Sequence, residues 1–60
     1  MIGAVAAAVA DSWGFMARQA NHARESNPYA EQLQVSPTAL ELGEAWWRGW
    51  DRADALLNAG

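Results

Sequence analysis

Hydrophobic residues in the first 25 positions recur at alternating steps of three and four, the spacing of one face of an α-helix. The members of this apolar seam are Ile2, Ala6, Val9, Trp13, Met16, Ala20 and Ala23. The spacing predicts a first helix over about residues 2–25 that packs against another helix through the seam. Asn21 could instead end this helix earlier, in a left-handed cap.

A second stripe, made of small residues, runs beside the seam on the same predicted helix. Its members are Gly3, Ala7, Ala10, Gly14 and Ala17. Such a stripe allows another helix to approach closely, which favours a second contact surface and a homo-oligomer formed through it. The alternative is that the stripe only reflects an Ala-rich helix, since Ala has the highest helix propensity.

A proline marks the break after the first helix. Asn27 precedes Pro28, and a residue before proline is disfavoured in the α conformation. We expect a connector over about residues 26–35, with one helical turn around the segment YAEQL.

The second helix is predicted over about residues 37–58 from its N-terminal signals. Ser36 before Pro37 is typical of an N-cap with proline in the first turn, and Thr38 with Glu41 forms a capping box. The predicted fold class is therefore all-α: an antiparallel two-helix hairpin with a proline-containing connector, in a single domain over residues 1–60.

Three tryptophans fall within five positions of this second helix. At about 100° per residue, one line along the helix contains Leu42, Trp46, Trp50, Ala53 and Leu57. We expect Trp46 and Trp50 to be core residues, with Gly49 beside them leaving room for a close neighbour.

Trp47 lies about 100° away from Trp46, so it cannot face the same helix as squarely. Either the connector covers it, with Tyr29 and Leu33 as the covering side chains, or it projects outward as an anchor for a partner. The candidate partner-binding residues on this side are Trp47, Arg48, Asp51, Arg52 and Asp54.

Composition limits the classes of function. Among 60 residues there are four arginines, no lysine and seven acids, giving a net charge of −3 and no basic surface for nonspecific phosphate binding. The chain has no cysteine and one histidine, so we predict no disulfide, metal site or cofactor. The first ten residues are apolar, short of the roughly 20 that a bilayer requires, and they lack a basic start; we expect a cytoplasmic protein without a membrane partner.

Two segments carry a family resemblance. Asn27-Pro28-Tyr29, followed by Trp46-Trp47-Arg48-Gly49-Trp50 and Ala53, resembles the ribosome modulation factor family and the small plasmid and phage proteins grouped with it. Further upstream, the family's Gly-aromatic-x-Ala segment is matched by Gly14, Phe15, Ala17 and Ala20. The resemblance covers roughly residues 13–55.

The resemblance implies a two-helix fold in which the Pro-Tyr turn packs against the tryptophan helix. It assigns structural roles to Pro28, Tyr29, Trp46, Gly49 and Trp50, and for the founding member it implies ribosome binding and promotion of an inactive, dimerised ribosome. This chain departs from the pattern at Trp47, where leucine is usual, and at Arg18 and Asn21, where glycines are common. It is also acidic, whereas the founding member is strongly basic.

No catalytic group is evident. Ser12 and His22 are ten residues apart on one predicted helix, about 15 Å along its axis, too far to act together. We therefore expect neither an enzyme nor a small-molecule substrate, and two functions stay open. One is a non-catalytic, ribosome-associated regulator of translation. The other is an acidic phage- or plasmid-type inhibitor that binds a basic surface of a host or defence protein complex, with Trp47 as its anchor.

Overall fold

The structure of the chain, a computed structural model, describes residues 4–32 and 37–59. Helix α1 spans Ala4–Gln19 and helix α2 spans Pro37–Asn58, and the two pack against each other; the described residues include no strand. Two short 3₁₀ turns, Arg24–Ser26 and Ala30–Gln32, lie between the helices. The predicted all-α two-helix hairpin is confirmed, and the second 3₁₀ turn lies inside the YAEQL segment. The predicted N-cap Ser36 lies outside the described residues.

The two helices touch backbone to backbone at a pair of glycines. A Cβ added to Gly14 would lie 2.7 Å from the carbonyl carbon of Trp46, and one added to Gly49 would lie 2.9 Å from the backbone nitrogen of Phe15. Both distances are too short for real Cβ contacts, so only glycine permits this approach. Ala10 and Ala53, each 1% exposed, are buried as well.

Two members of the small-residue stripe therefore lie in the contact between the two helices of one chain. Ala10 and Gly14 are buried, and Gly14 packs against α2. Whether the stripe also binds a second copy of the chain stays a prediction, with two of its members already buried in the fold. Gly3, the first member of the predicted stripe, lies outside the described residues.

The predicted apolar packing seam faces solvent instead. Val9, Trp13 and Met16 are exposed, and so are Ala20 and Ala23, while Ile2 lies outside the described residues. The physical reason is the close helix approach: large side chains between α1 and α2 would hold the backbones apart. Leu57, predicted on the core line of α2, is also exposed.

Helix α1 ends at Gln19, and the predicted left-handed cap at Asn21 is confirmed. Asn21 has φ 66°, the His22 N–H donates to the Ala17 carbonyl (2.9 Å), and the Asn21 N–H donates to the Arg18 carbonyl (3.0 Å). This pair of hydrogen bonds is the Schellman motif. The helix therefore stops about six residues before the longer alternative of residue 25, and the connector begins correspondingly earlier.

Candidate functional site

The three clustered tryptophans have different environments. Trp46 is 3% exposed and belongs to the core, as predicted. Trp50 is only half-buried, and its indole N–H donates to the His22 carbonyl at 2.9 Å. Trp47 is also half-buried, and its indole N–H donates to the Arg24 carbonyl at 3.0 Å. Two of the three indoles thus bind the connector.

The Asn-Pro-Tyr turn is fastened to α2 by a buried asparagine. Asn27 is 4% exposed, and its Nδ2 donates to the Gly43 carbonyl at 3.0 Å. Its Oδ1 accepts a hydrogen bond from the Tyr29 backbone N–H at 2.9 Å, and its backbone carbonyl accepts one from Ala30. From the sequence, Asn27 stood out as the residue before proline and as part of the Asn-Pro-Tyr motif, but its hydrogen bonds were not predicted. The signal for them was that asparagine side chains commonly bond to the backbone two residues on.

The connector therefore follows α2 with about one contact per helical turn. The paired positions, connector residue first, are His22 with Trp50, Arg24 with Trp47, and Asn27 with Gly43. Spacings of three and four residues place the three α2 positions on one side of that helix. The tryptophan-rich motif thus has a structural role in holding the connector.

Three of the four arginines each bind an aspartate and lie over an aromatic ring. The groups are Arg18 with Asp54 and Trp50, Arg24 with Asp51 and Trp47, and Arg52 with Asp11 and Phe15. Their shortest N–O distances are 2.8, 2.9 and 2.7 Å, and the guanidinium carbons lie 5.5, 5.1 and 4.9 Å from the ring centroids. Each group joins segments that are distant in sequence.

These groups change the status of the predicted partner-binding residues. Asp51, Arg52 and Asp54 are engaged inside the chain, across the connector and helices rather than along α2. Trp47 is covered by the connector, as one alternative predicted, but the covering residue is Arg24. Leu33 lies outside the described residues, and Tyr29 is half-buried in the turn.

The remaining charged side chains lie on the connector and on α2. Cancelling the three Arg–Asp pairs leaves Arg48 and four glutamates, which account for the net charge of −3. The glutamates are Glu25, Glu31, Glu41 and Glu44, all exposed. Within residues 4–32 and 37–59, neither they nor Arg48 form an ion pair within 4 Å. We call these five residues the charged surface; Glu25 and Glu31 lie on the connector, and Glu41, Glu44 and Arg48 lie on one side of α2.

A shallow groove of about 340 Å³ adjoins this charged surface. It is lined by Arg24, Glu44, Trp47, Arg48 and Asp51. The groove places the Trp47 side chain beside charges of both signs, and its shallow shape suits a macromolecular contact better than an enclosed small ligand.

The Arg24–Asp51 pair predicts a pH dependence. The hydrogen bond from the Arg24 guanidinium lowers the pKa of the Asp51 carboxyl, with partial burial opposing it. Because the folded-state pKa is depressed, the stabilisation is complete above the unfolded pKa of about 3.9 and is lost as the pH falls through the lower folded value. We expect a small decrease in Tm through that range, since about half of each side chain is exposed to solvent.

Thermal unfolding of Asp51→Asn measures this contribution. The variant should be slightly less stable at pH 7, and its Tm should change less than that of the unmodified chain between pH 5 and the acid limit. Equal acid sensitivity of both proteins would contradict the role of the Arg24–Asp51 pair.

The described part of the chain holds no cluster of three or more potential metal ligands. Neither described helix is long and apolar enough to cross a membrane. Fold and contacts thus define a small all-α helical hairpin whose aromatic helix binds its own connector.

No protein-family model matches the chain, and neither a curated protein nor a solved structure matches it.

Proposed function

We propose that the protein is a small, non-catalytic regulatory binding protein that acts in the cytoplasm by occupying a basic surface of another protein. The observation that carries this proposal is the charge distribution. Three arginines are neutralised by aspartates, whereas four exposed glutamates have no ion pair among the described residues. What the chain presents to a partner is therefore mainly negative.

This distribution favours a protein over a nucleic acid. Binding to phosphates requires free cations, and Arg48 is the one arginine that forms no ion pair within the described ranges. The surrounding glutamates would repel a phosphate backbone, while they would accelerate association with a basic protein surface.

The groove beside Trp47 is the contact proposed within the charged surface. Trp47 is half-buried, so part of its ring is held in place by Arg24 and part is available to a partner. A rigid, partly exposed tryptophan flanked by charges is typical of binding hot spots. Arg48 and Glu44 border the same groove and would set the orientation of the partner.

A second candidate is association with the ribosome, which the family resemblance implies. Its support is that the Asn-Pro-Tyr turn is bound to the tryptophan helix, through Asn27 and Gly43, in the manner expected of that fold. Arg48, without an acidic partner among the described residues, would then contact ribosomal RNA.

Two charge variants separate these functions, because they change the two kinds of binding in opposite directions. The double substitution Glu41→Gln and Glu44→Gln removes two negative charges. It should weaken binding to a basic protein by about tenfold or more and strengthen binding to RNA. Arg48→Gln should leave the basic partner bound and weaken RNA binding. The measurement is affinity capture from the native host with mass spectrometry, accompanied by sedimentation through a sucrose gradient.

The matched control is Ala55→Lys with Asn58→Lys, which changes the net charge equally but at exposed positions near the end of α2. It should retain substantially more of the captured partner than the double glutamate variant. Cosedimentation with ribosomes that is lost in Arg48→Gln would favour the second candidate. Capture of the same partner by all variants would contradict a role for the charged surface.

A further inference from the structure

One exposed side of α1 is apolar and carries no charge. Val5, Val9, Trp13 and Met16 are exposed by 78%, 48%, 63% and 61%, and their spacings of four, four and three place them on one side of the helix. The two charged residues of α1, Asp11 and Arg18, are both bound to α2. We call these four exposed side chains the α1 ridge.

This arrangement inverts the usual surface helix, which turns charged residues to water and large apolar ones to the core. Here glycine and alanine face α2, because the helix backbones touch, and the large side chains remain outside. A contiguous apolar patch of this kind marks an interaction surface.

We propose that the α1 ridge binds the same ridge of a second copy, forming a symmetric dimer in which the two α1 helices lie antiparallel. In that register Val5 of each copy lies opposite Met16 of the other, and Val9 lies opposite Trp13. Each large side chain therefore meets a small one, so the surface is complementary to itself, as a two-fold interface requires.

The distribution of charge favours a second copy of the chain as the partner of the ridge. The ridge itself is uncharged, so pairing two ridges desolvates no ion. The exposed glutamates lie on the connector and α2, none of them on α1. Antiparallel pairing directs the two connectors to opposite ends of the α1 pair, which keeps the net charges of −3 on the two copies apart.

The exposed area of the α1 ridge limits how tightly two copies can bind. Trp13 can bury about 150–250 Å², and the other three side chains of the ridge are smaller and only partly exposed. Standard interfaces bury about 800 Å² per partner. The expected dimer is therefore weaker than one with a standard interface, and it adds apolar burial to a chain whose own core is small.

The test measures molar mass by sedimentation equilibrium, on the full chain from about 1 µM to about 1 mM. The mass should rise from 6.5 kDa towards twice that value. Val9→Glu should weaken the dimer by about 100-fold or more, because it places a carboxylate from each copy in the apolar contact. Ala55→Glu, the same change at an exposed position on α2, should dimerise as the unmodified chain does.

A mass of 6.5 kDa at every concentration would overturn the dimer, as would unchanged dimerisation of Val9→Glu or equal dissociation of Ala55→Glu. The chain has no cysteine, so single-cysteine variants test the register even where Val9→Glu fails to fold. On mixing, Val9→Cys and Trp13→Cys should form the mixed disulfide faster than either forms a disulfide with itself; random pairing would overturn the antiparallel register. The proposed function uses the charged surface, so a monomer that still captures a basic partner would contradict the dimer alone.

Discussion

Replacing Gly49 with alanine is expected to lower the Tm by roughly 10–20 °C, corresponding to about 2–3 kcal/mol in a domain of this size. The new methyl group would lie 2.9 Å from the backbone nitrogen of Phe15 and 2.7 Å from the carbonyl carbon of Asp11. Because both are backbone atoms, no side-chain rotation can relieve the contact, and the helices must separate. Thermal unfolding followed by circular dichroism measures the effect.

The sign of the change makes this a sharp test. Helix propensity alone predicts that Gly49→Ala stabilises α2 by about 1 kcal/mol. A raised Tm would therefore contradict the backbone contact. Gly14→Ala, which meets the Trp46 backbone on the other helix, should cause a similar loss. As a control, Ala55→Gly at an exposed position should cost only the propensity difference of about 1 kcal/mol.

Replacing Asn27 with alanine is expected to cost about 1–3 kcal/mol, the second largest effect. The substitution removes two hydrogen bonds and leaves the Gly43 carbonyl and the Tyr29 N–H without these partners at a buried site. The connector should then detach from the first half of α2. A lower Tm and faster amide hydrogen exchange in the connector would report this.

Two further asparagine variants define the cause. Asn27→Asp keeps the acceptor for Tyr29 but turns a carboxylate oxygen towards the Gly43 carbonyl, so it should destabilise at least as much as alanine at pH 7. Asn58→Ala, at an exposed position near the end of α2, should change the stability little. If Asn27→Asp were as stable as the unmodified chain, the hydrogen bond to Gly43 would not be stabilising the turn.

Substitutions at Gly49 and Asn27 should lower the stability of the fold more than the loss of any one arginine group does. Exposed ion pairs contribute about 0–1 kcal/mol, and exposed cation–π contacts about 0.5–1 kcal/mol. The total stability of a 60-residue domain is itself only about 3–9 kcal/mol. A single methyl group at the helix contact therefore removes a large share of it, whereas loss of one Arg–Asp pair does not.

Local features of the chain were predictable where the signal and its consequence are adjacent in sequence. Helix α2 begins at Pro37 and ends at Asn58, as its N-terminal signals and apolar pattern predict, because helix ends are set by neighbouring residues. The left-handed cap at Asn21 was predictable for the same reason, because it too is formed by residues adjacent in sequence. Trp46 was also placed correctly in the core, from its angle on the helix alone.

The errors arose where two distant segments meet. Periodicity identified two stripes on α1 and favoured the one with larger apolar residues, yet Ala10 and Gly14 form the actual contact. That choice depends on how closely the α2 backbone approaches, which no pattern within α1 contains. The same holds for Trp47 and Trp50, whose indole N–H groups find carbonyls on a connector more than 20 residues away.

For the candidate site, composition already indicated an acidic chain with few cations. Only the tertiary structure shows that Arg18, Arg24 and Arg52 are bound to aspartates, which leaves Arg48 and four glutamates without an ion pair among the described residues. Helix boundaries, fold class and net charge follow from short-range chemistry and simple counting. The face that packs, the partner of each arginine and the exposure of the α1 ridge depend on distances between atoms far apart in the chain, and those distances are set only when the two helices come together.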